Sequence, residues 1–330
     1  MVFAIGVGLA ASVIAARPAL SGSGPHVDTL SRSSSVHWTQ VRSPGARQLV
    51  TQMVHDDARH RVLLFGGQTG GPQFTFLDDT WTWDGSGWEQ LHPATSPPAR
   101  VNGMMGYDVA TQEVVLFGGQ NASGLLADTW SWDGARWTKV LPAVAPSARV
   151  HAAIASDPVT GHLLLFGGFD ASGHDVGDTW TWDGATWTEL SPPSSPSPRD
   201  SGAMVYDEAT GSMILFGGQR SGTDLGDTWM WDGATWTQLF PVSSPPVRRC
   251  HSLIYDPDSY VVLMFGGADP PHFYGDTWAW DGATWRQVHS ATNPTDRYNF
   301  GFAYDTIHHD VVLFGGFSSG PARRDTWVLR

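Results

Sequence analysis

Arginine recurs at six nearly evenly spaced positions, and a guanidinium can bind a carboxylate or phosphate through two parallel hydrogen bonds. The six arginines are Arg47, Arg100, Arg149, Arg199, Arg248 and Arg297. Aspartate also recurs in step with them, at Asp79, Asp128, Asp178, Asp227, Asp276 and Asp325. The two sets predict either structural Arg–Asp pairs that tie neighbouring repeats together or an arginine ring that captures an acidic ligand. Pairing is the favoured interpretation, and a partly paired ring would allow both.

Other candidate binding residues lie in segments that differ in length and chemistry between the repeats. The first such segment carries Phe74 and Phe76, the third carries His174, and the fifth carries His272 and Tyr274. Variable loops on a repeated scaffold commonly carry binding sites. We therefore expect these five residues on a binding face.

The residue types expected of a metal site or a catalytic centre are scattered. Among the 13 histidines, His174, His272, His308 and His309 are scattered over different loops without the spacing of a metal site. The single cysteine, Cys250, excludes an intrachain disulfide and a multi-cysteine metal site. Aspartates repeated at Asp157, Asp207, Asp256 and Asp305 fit side-chain-capped turns without calcium. We find no Ser-His-Asp set, phosphate-binding loop or dinucleotide fingerprint. The sequence predicts no metal, no cofactor and no catalytic residue.

One repeated segment must position all of these residues. It reads Phe-Gly-Gly, a loop of 8 to 11 residues and then Asp-Thr-Trp, and it recurs with a period of about 50 residues. The copies begin at Phe65, Phe117, Phe166, Phe216, Phe265 and Phe314. Apolar runs and turn signals around each copy predict four antiparallel strands, with an Asp-Gly hairpin before the last. Each arginine is predicted to open the first, innermost strand, at the same end as the variable loops.

The two ends of the chain complement each other. The last copy stops after Asp325-Thr326-Trp327 and lacks a fourth strand, whereas an unmatched fourth strand, Trp38 to Val41, precedes the first copy. The sequence therefore predicts an all-β, six-bladed ring closed by its N-terminal strand, an arrangement that leaves no open end. All 17 tryptophans fall at three fixed positions of the repeat, which favours packing between blades over sugar stacking.

The double glycine, the tryptophan spacing and the Asp-Gly turn make residues 36–330 resemble the kelch repeat family, which includes the propeller domain of galactose oxidase and bacterial sialic acid epimerases. The resemblance implies a kelch-type β-propeller. It also implies that the arginines lie as in kelch adaptors, which use such residues to grip acidic peptides. Copper chemistry of the galactose oxidase type is not expected, because Cys250 occupies a repeat position filled by Asn102, His151, Ser201 and Asn299 elsewhere.

The resemblance identifies a fold better than a function, because related propellers serve as enzymes, adaptors and scaffolds. We expect a non-enzymatic scaffold that binds a protein or glycan, acidic ligands included, through its variable-loop face. The alternative is a carbohydrate-active enzyme of the epimerase or lyase kind with a site at the channel mouth. Such an enzyme should bring acidic groups, His or Tyr together around a pocket that is large enough for a small molecule.

Composition and the N-terminal segment bear on partners and location. The net charge of −13 opposes nucleic-acid binding. Residues 1–21 are predicted to be a signal peptide or hydrophobic leader, because a short apolar run is followed by small residues. Residues 22–35 are rich in Ser and Gly and predict a flexible linker before the propeller at 36–330. We expect a secreted or cell-envelope monomer with no membrane span in the mature chain.

Overall fold

The protein is described by a computed structural model that covers residues 37–41, 52–69, 74–320 and 322–330. The predicted leader, the predicted linker and Arg47 lie outside these described residues. Within them, the chain forms 32 strands and no helix. Six four-stranded antiparallel sheets are arranged as the blades of a propeller, and the innermost strands surround a central channel. The all-β, six-bladed kelch-type architecture is therefore confirmed.

The strands of each blade follow one another from the channel outward. Blade 1 contains β2 (Gln52–Asp56), β3 (Arg61–Phe65), β4 (Thr80–Trp83) and β5 (Trp88–Leu91). Blade 2 contains β6 (Met104–Asp108), β7 (Glu113–Phe117), β10 (Thr129–Trp132) and β11 (Trp137–Val140). Blade 3 contains β13 (Ala153–Ser156), β14 (Leu163–Phe166), β16 (Thr179–Trp182) and β17 (Trp187–Leu190).

The second half of the ring repeats this order. Blade 4 contains β18 (Ala203–Asp207), β19 (Ser212–Phe216), β22 (Thr228–Trp231) and β23 (Trp236–Leu239). Blade 5 contains β24 (Ser252–Asp256), β25 (Val261–Phe265), β28 (Thr277–Trp280) and β29 (Trp285–Val288). Blade 6 contains β30 (Gly301–Asp305), β31 (Asp310–Phe314), β32 (Thr326–Leu329) and β1 (Trp38–Val41).

Among the described residues, four short strand pairs lie at the variable-loop end of the ring. They are β8 (Gln120–Asn121) with β9 (Gly124–Leu125), β12 (Arg149–Val150) with β15 (Phe169–Asp170), β20 (Gln219–Arg220) with β21 (Thr223–Asp224), and β26 (Ala268–Asp269) with β27 (His272–Phe273). All four pairs include the residues that directly follow a Phe-Gly-Gly segment. The variable loops are thus held against the ring by backbone hydrogen bonds.

The N-terminal strand closes the ring as the sequence predicts. Strand β1 pairs antiparallel with β32 in the register Trp38 to Leu329 through Val41 to Thr326. Trp38 is 2% exposed, and its indole lies 5.3 Å from the ring of Phe265 in blade 5. Residues from the two ends of the chain therefore form one blade.

Tryptophan and threonine join every blade to the preceding one. The tryptophan that opens each outermost strand donates its Nε1–H to the threonine of the neighbouring Asp-Thr-Trp segment, at 3.0–3.5 Å. The six pairs are Trp38–Thr277, Trp88–Thr326, Trp137–Thr80, Trp187–Thr129, Trp236–Thr179 and Trp285–Thr228. The predicted role of tryptophan in packing the blades is confirmed, because none of the 17 lies in a variable loop.

Aspartate shapes the turns at the opposite end. In the Asp-Gly hairpin of blade 3, Asp183 Oδ1 accepts hydrogen bonds from the backbone N–H of Ala185 and Thr186, at 3.0 and 2.7 Å. Asp207 accepts the N–H of Ala209 in the same way after an innermost strand. Both are side-chain-capped turns, and the capping at Asp207 was predicted from the sequence.

The five described arginines do not open the innermost strands, which corrects the sequence prediction. Each lies a few residues earlier, and a residue with a left-handed φ of 52–58° intervenes at Asn102, His151, Ser201, Cys250 and Asn299. In blade 3, Arg149–Val150 forms the separate strand β12, and the innermost strand begins only at Ala153. A positive φ cannot continue a strand, so the apolar run divides at this point.

Candidate functional site

Each described arginine of the repeated set forms a two-pronged ion pair with the aspartate of its own blade. The pairs are Arg100–Asp128, Arg149–Asp178, Arg199–Asp227, Arg248–Asp276 and Arg297–Asp325, with N–O distances of 2.6–3.2 Å. Only 0–2% of each arginine side chain is exposed. The predicted structural pairing is confirmed for these five arginines.

The arginine joins two blades because its backbone and its side chain belong to different ones. The N–H of Arg149 donates to Leu126 O at 3.1 Å, and its carbonyl accepts the N–H of Gly119 at 2.9 Å, both in blade 2. Its guanidinium instead bonds Asp178 and the carbonyl of Gly167 in blade 3. Removing the side chain would leave the half-buried carboxylate of Asp178 without its charge partner.

Four of the aspartates in these pairs are held ionised. Burial favours the neutral acid, but hydrogen bonds from arginine and from the tryptophan two residues later outweigh it. The pKa values of four aspartates therefore lie below the ordinary value of 3.8: Asp128, Asp178, Asp227 and Asp325. The described guanidinium groups are thus already neutralised. Capture of an acidic ligand by the arginine ring stays a prediction and would require these pairs to open.

The left-handed residues next to the arginines encircle the mouth of the channel. Ser201 N–H donates to His151 O at 2.9 Å, Cys250 N–H to Ser201 O at 2.9 Å, and Asn299 N–H to Cys250 O at 3.1 Å. These four residues line a cavity of about 160 Å³, which we call the mouth cavity. Backbone hydrogen bonds between successive blades therefore fix its wall.

A belt of apolar side chains separates the mouth cavity from the other end of the channel. Each innermost strand contributes one residue: Met53, Met105, Ile154, Met204, Leu253 and Phe302. Below the belt, a second cavity of about 300 Å³ opens toward the short turns. A ligand at the variable-loop end would thus meet an apolar floor.

The residue directly after each arginine varies in chemistry from copy to copy. These residues are Val101, Val150, Asp200, Arg249 and Tyr298. Each forms a backbone bridge with the first residue after Phe-Gly-Gly, as Asp200 does with Gln219 and Tyr298 with Phe317. The position therefore lies beside the mouth cavity and at the root of the variable loop, and it places different side chains at equivalent points of the rim.

Two carboxyl groups meet at the rim between blades 3 and 4. Asp200 is 3% exposed, and its carboxylate accepts hydrogen bonds from Ser201 Oγ at 2.5 Å and from Gln219 Nε2 at 3.1 Å. Burial and the neighbouring carboxyl of Asp175 together raise the pKa of Asp200 to about 6. Nδ1 of His151 lies 4.0 Å from Asp200, and burial lowers the pKa of His151 to about 4, so this histidine is neutral.

The rim between blades 4 and 5 repeats the carboxyl pair around a cation. Arg249 donates to Gln219 Oε1 at 2.6 Å and to Asp224 Oδ1 at 3.2 Å. Burial raises the pKa of Asp224, the carboxyl of Asp269 raises it further, and Arg249 opposes both. Gln219 bonds both Asp200 and Arg249, so the two carboxyl pairs belong to one polar network. We call this network the polar rim; it consists of Asp175, Asp200, Gln219, Asp224, Arg249 and Asp269.

The opposite part of the rim is aromatic. Phe273 stacks on Tyr298 with ring centres 5.6 Å apart, and Tyr298 lies 5.5 Å from Phe317. Phe317 and Phe76 both pack on Val101. Phe74 continues the series at 5.6 Å from Phe76 and is 56% exposed. We call this series, from Phe273 to Phe74, the aromatic rim.

The other loop residues singled out from the sequence lie apart from this arrangement. His174 and His272 are exposed on separate hairpins, in blades 3 and 5. Tyr274 is half-buried, and the guanidinium carbon of Arg248 lies 4.1 Å above its ring, so it covers a structural arginine. The sequence reasoning missed Asp200, Arg249 and Tyr298. The sequence does contain a pattern that could have identified them. The arginine is the same in each copy, whereas the residue after it is Asp200, Arg249 or Tyr298 in the last three copies.

Cys250 and the histidines form no metal centre among the described residues. No group of three or more His, Cys, Asp or Glu side chains is arranged there to hold a metal ion. Burial raises the pKa of the Cys250 thiol to about 11, which keeps it protonated and weakly nucleophilic. In the part of the chain that is described, no helix is long and apolar enough to cross a membrane.

Comparison with known protein families agrees with this geometry. The family model of the KLHDC2/KLHL20/DRC7 Kelch-repeats domain matches residues 133–316, which is more than half of the chain. The chain belongs to this kelch-repeat family. A search of curated proteins found no match. Membership indicates that this kelch ring is a protein-interaction scaffold.

Proposed function

We propose that the kelch ring binds a segment of a partner protein across its variable-loop end, between the aromatic rim and the polar rim. The supporting observation is the divergence of the residue after each constant arginine. At Val101 and Val150 this position is apolar, whereas at Asp200, Arg249 and Tyr298 it carries an acid, a base and an aromatic ring. Repeat positions that only maintain the fold have no reason to diverge in this way.

The chemistry of the two rims suggests the character of the partner segment. Phe74 and Phe273 offer partly exposed rings for an aliphatic or aromatic anchor. The polar rim holds four carboxyl groups, Asp175, Asp200, Asp224 and Asp269, beside one guanidinium, Arg249. A segment that joins an apolar anchor to a Lys or Arg would complement both. An acidic segment would instead implicate the arginine ring.

A selection from a display library of random dodecapeptides on the purified ring tests this proposal. We expect enrichment of peptides that combine aromatic or branched aliphatic residues with Lys or Arg. Tyr298→Val and Arg249→Val place at the rim the side chain that Val101 and Val150 already carry, so the backbone is preserved. Each should weaken the enriched peptides at least tenfold. Unchanged binding to both variants would overturn the proposal, and enrichment of acidic peptides would favour the arginine ring.

The second candidate function is a carbohydrate-active enzyme, and the carboxyl pair of Asp175 and Asp200 is the observation that favours it. A carboxylic acid with a pKa of about 6 is suited to proton transfer near neutral pH. The mouth cavity of about 160 Å³ is smaller than the roughly 300–1,000 Å³ of typical small-molecule pockets. An enzyme would be supported if the protein binds and turns over a glycan from an array, and if Asp200→Asn abolishes turnover but leaves binding intact. Absence of glycan binding would exclude it.

We further propose export to the cell exterior or envelope with removal of residues 1–21, on the basis of the apolar leader alone. N-terminal sequencing of the mature protein tests this. A product that begins near Gly22 is expected, and a cytoplasmic product that retains Met1 would contradict it.

A further inference from the structure

A second concave site lies on the flank of the ring, between blades 1 and 2. Its walls are formed by residues from both blades: Asp56, Arg59, Arg61, Leu63, Thr82, Leu91, Trp132 and Gly134. The cavity volume is about 400 Å³, which falls in the range of small-molecule pockets. We call it the blade 1–2 crevice. It is separate from the variable-loop end and shares no residue with either rim.

The repeat supplies a natural comparison for this crevice. The equivalent crevice between blades 3 and 4 is lined by the same eight repeat positions: Asp157, Thr160, His162, Leu164, Thr181, Leu190, Trp231 and Gly233. Its volume is only about 30 Å³. Met213 also lines it, whereas the register places the smaller Val114 at this position in blade 2. Because the two backbones are equivalent, side chains account for the open space.

The same comparison shows a change in charge. Arg59 and Arg61 of the blade 1–2 crevice replace Thr160 and His162. Arg59 is committed to the fold, because its guanidinium bonds Asp56 Oδ1 at 3.3 Å and the carbonyl of Gln112. Its charge is balanced by Asp56, and burial raises the pKa of Asp56 while Arg59 opposes this. Arg61 is therefore the cation that remains for a ligand.

The ion pair that Arg61 forms with Glu89 is exposed. Its Nη1 lies 3.1 Å from Glu89 Oε2, and the two side chains are 43% and 66% exposed. Exposed ion pairs of this kind contribute little to stability because water screens them. A ligand anion can replace Glu89 at small cost.

The crevice also contains a hydroxyl group that has no partner. Thr82 is 6% exposed, and its Oγ1 is buried without a hydrogen bond to any described residue. At the equivalent position, Thr181 Oγ1 lies 3.4 Å from His162 Nδ1. Replacement of that histidine by Arg61, which turns to Glu89, removes the local partner of Thr82. The oxygen is shielded from the cavity, so the carboxylate of a ligand is assigned to Arg61 and not to this hydroxyl.

From this combination we infer that the blade 1–2 crevice binds a small organic acid, with its carboxylate on Arg61 and its apolar body against Leu63, Leu91 and Trp132. The three apolar side chains are buried or half-buried and form one side of the cavity. A carboxylate is matched by the planar guanidinium of Arg61, which can donate two parallel hydrogen bonds. The blade 3–4 crevice lacks both the space and the arginine and is the internal negative control.

Titration calorimetry of the purified chain with 3-phenylpropionate tests the inference. We expect one saturable site per chain, at least tenfold weaker binding by Arg61→Gln, and at least tenfold weaker binding of 3-phenylpropanol and 3-phenylpropylamine to the wild type. His162→Gln makes the matched change in the other crevice and should leave binding within twofold. Val114→Met, which copies the side chain of the closed crevice, should abolish binding.

The contrary outcomes are equally defined. The inference is overturned if 3-phenylpropionate shows no saturable binding, if Arg61→Gln binds like the wild type, or if the amine binds as well as the acid. Binding of phenyl phosphate but not of 3-phenylpropionate would overturn the assignment of a carboxylate. The side chain of Arg61 is 43% exposed and holds only a surface ion pair, so Arg61→Gln should fold and decides the question even if Val114→Met does not fold.

Discussion

Arg199 and Asp200 are neighbours in the chain, but they differ in how they relate to the repeat. Arg199 has a counterpart in every copy, is 2% exposed and is fully paired with Asp227. Asp200 is just as buried, at 3%, but no other described copy has an acid at its position, and another carboxyl faces it. The first residue joins two blades, whereas the second departs from the repeat. Residues that are the same in every copy therefore belong to the scaffold, and the neighbouring residues that differ between copies belong to the candidate site.

Removing strand β1 should have the largest effect on the scaffold. Deletion of residues 1–45 exposes the edge of blade 6 and removes Trp38, so we expect the free energy of unfolding to fall by at least about 3–5 kcal/mol. Chemical denaturation measures this. Deletion of residues 1–35 is the matched control because it keeps β1. Equal midpoints for the two deletions would show that ring closure contributes nothing.

Arg149→Ala should destabilise the protein by about 3–5 kcal/mol, because it leaves the half-buried Asp178 without its charge partner. Arg136→Ala removes an arginine that is 71% exposed and paired with Asp133, and we expect a change of less than about 1 kcal/mol. Thermal and denaturant unfolding compare the two variants. If Arg149→Ala is as mild as Arg136→Ala, the arginine set does not tie the blades together.

Acid should weaken the scaffold through its aspartates. The pKa values of Asp128, Asp178, Asp227 and Asp325 are lower in the folded protein than in the unfolded chain, where 3.8 is the ordinary value. Their contribution is therefore complete above about pH 4 and is lost as the pH falls through the folded values. Denaturation between pH 5 and pH 2 should show a steep loss of stability. Asp178→Asn should reduce the steepness.

Asp200 should respond to pH in the opposite direction. Its pKa is raised to about 6 in the folded protein, so stability declines as the pH rises from about 4 to 6 and the contribution stays unfavourable above that. Asp200→Asn should reduce this pH-dependent change in the free energy of unfolding by up to about 1–3 kcal/mol. Unfolding midpoints of both proteins at pH 4 and pH 7 give the difference. Parallel pH profiles would contradict the raised pKa of Asp200.

Tyr298→Val should have the smallest effect on stability, about 1 kcal/mol or less, because the residue is partly exposed and its register tolerates valine at Val101 and Val150. Its expected effect is on peptide binding. Thermal unfolding measured beside peptide affinity separates the two. A loss of several kcal/mol would place Tyr298 with the scaffold instead of the candidate site.

The sequence by itself determined the architecture. A period of about 50 residues, strand-length apolar runs and the complementary ends of the chain predicted six blades and the closing strand, since these are local patterns repeated six times. It also predicted the Arg–Asp pairs, because two sets with the same period stay in step around a ring. The predicted bounds of strands such as Trp187–Leu190 agree with the structure, because turn residues flank these strands in the sequence.

Only the tertiary structure decided which residues gather at the mouth and on the flank. The break at His151 depends on a left-handed backbone that the apolar run does not reveal. Asp200 meets Asp175, and Tyr298 meets Phe273, through contacts between different loops. The blade 1–2 crevice is open because Val114 is small and Arg61 turns to Glu89. Such features depend on the packing of neighbouring blades, whose distances no local sequence pattern contains.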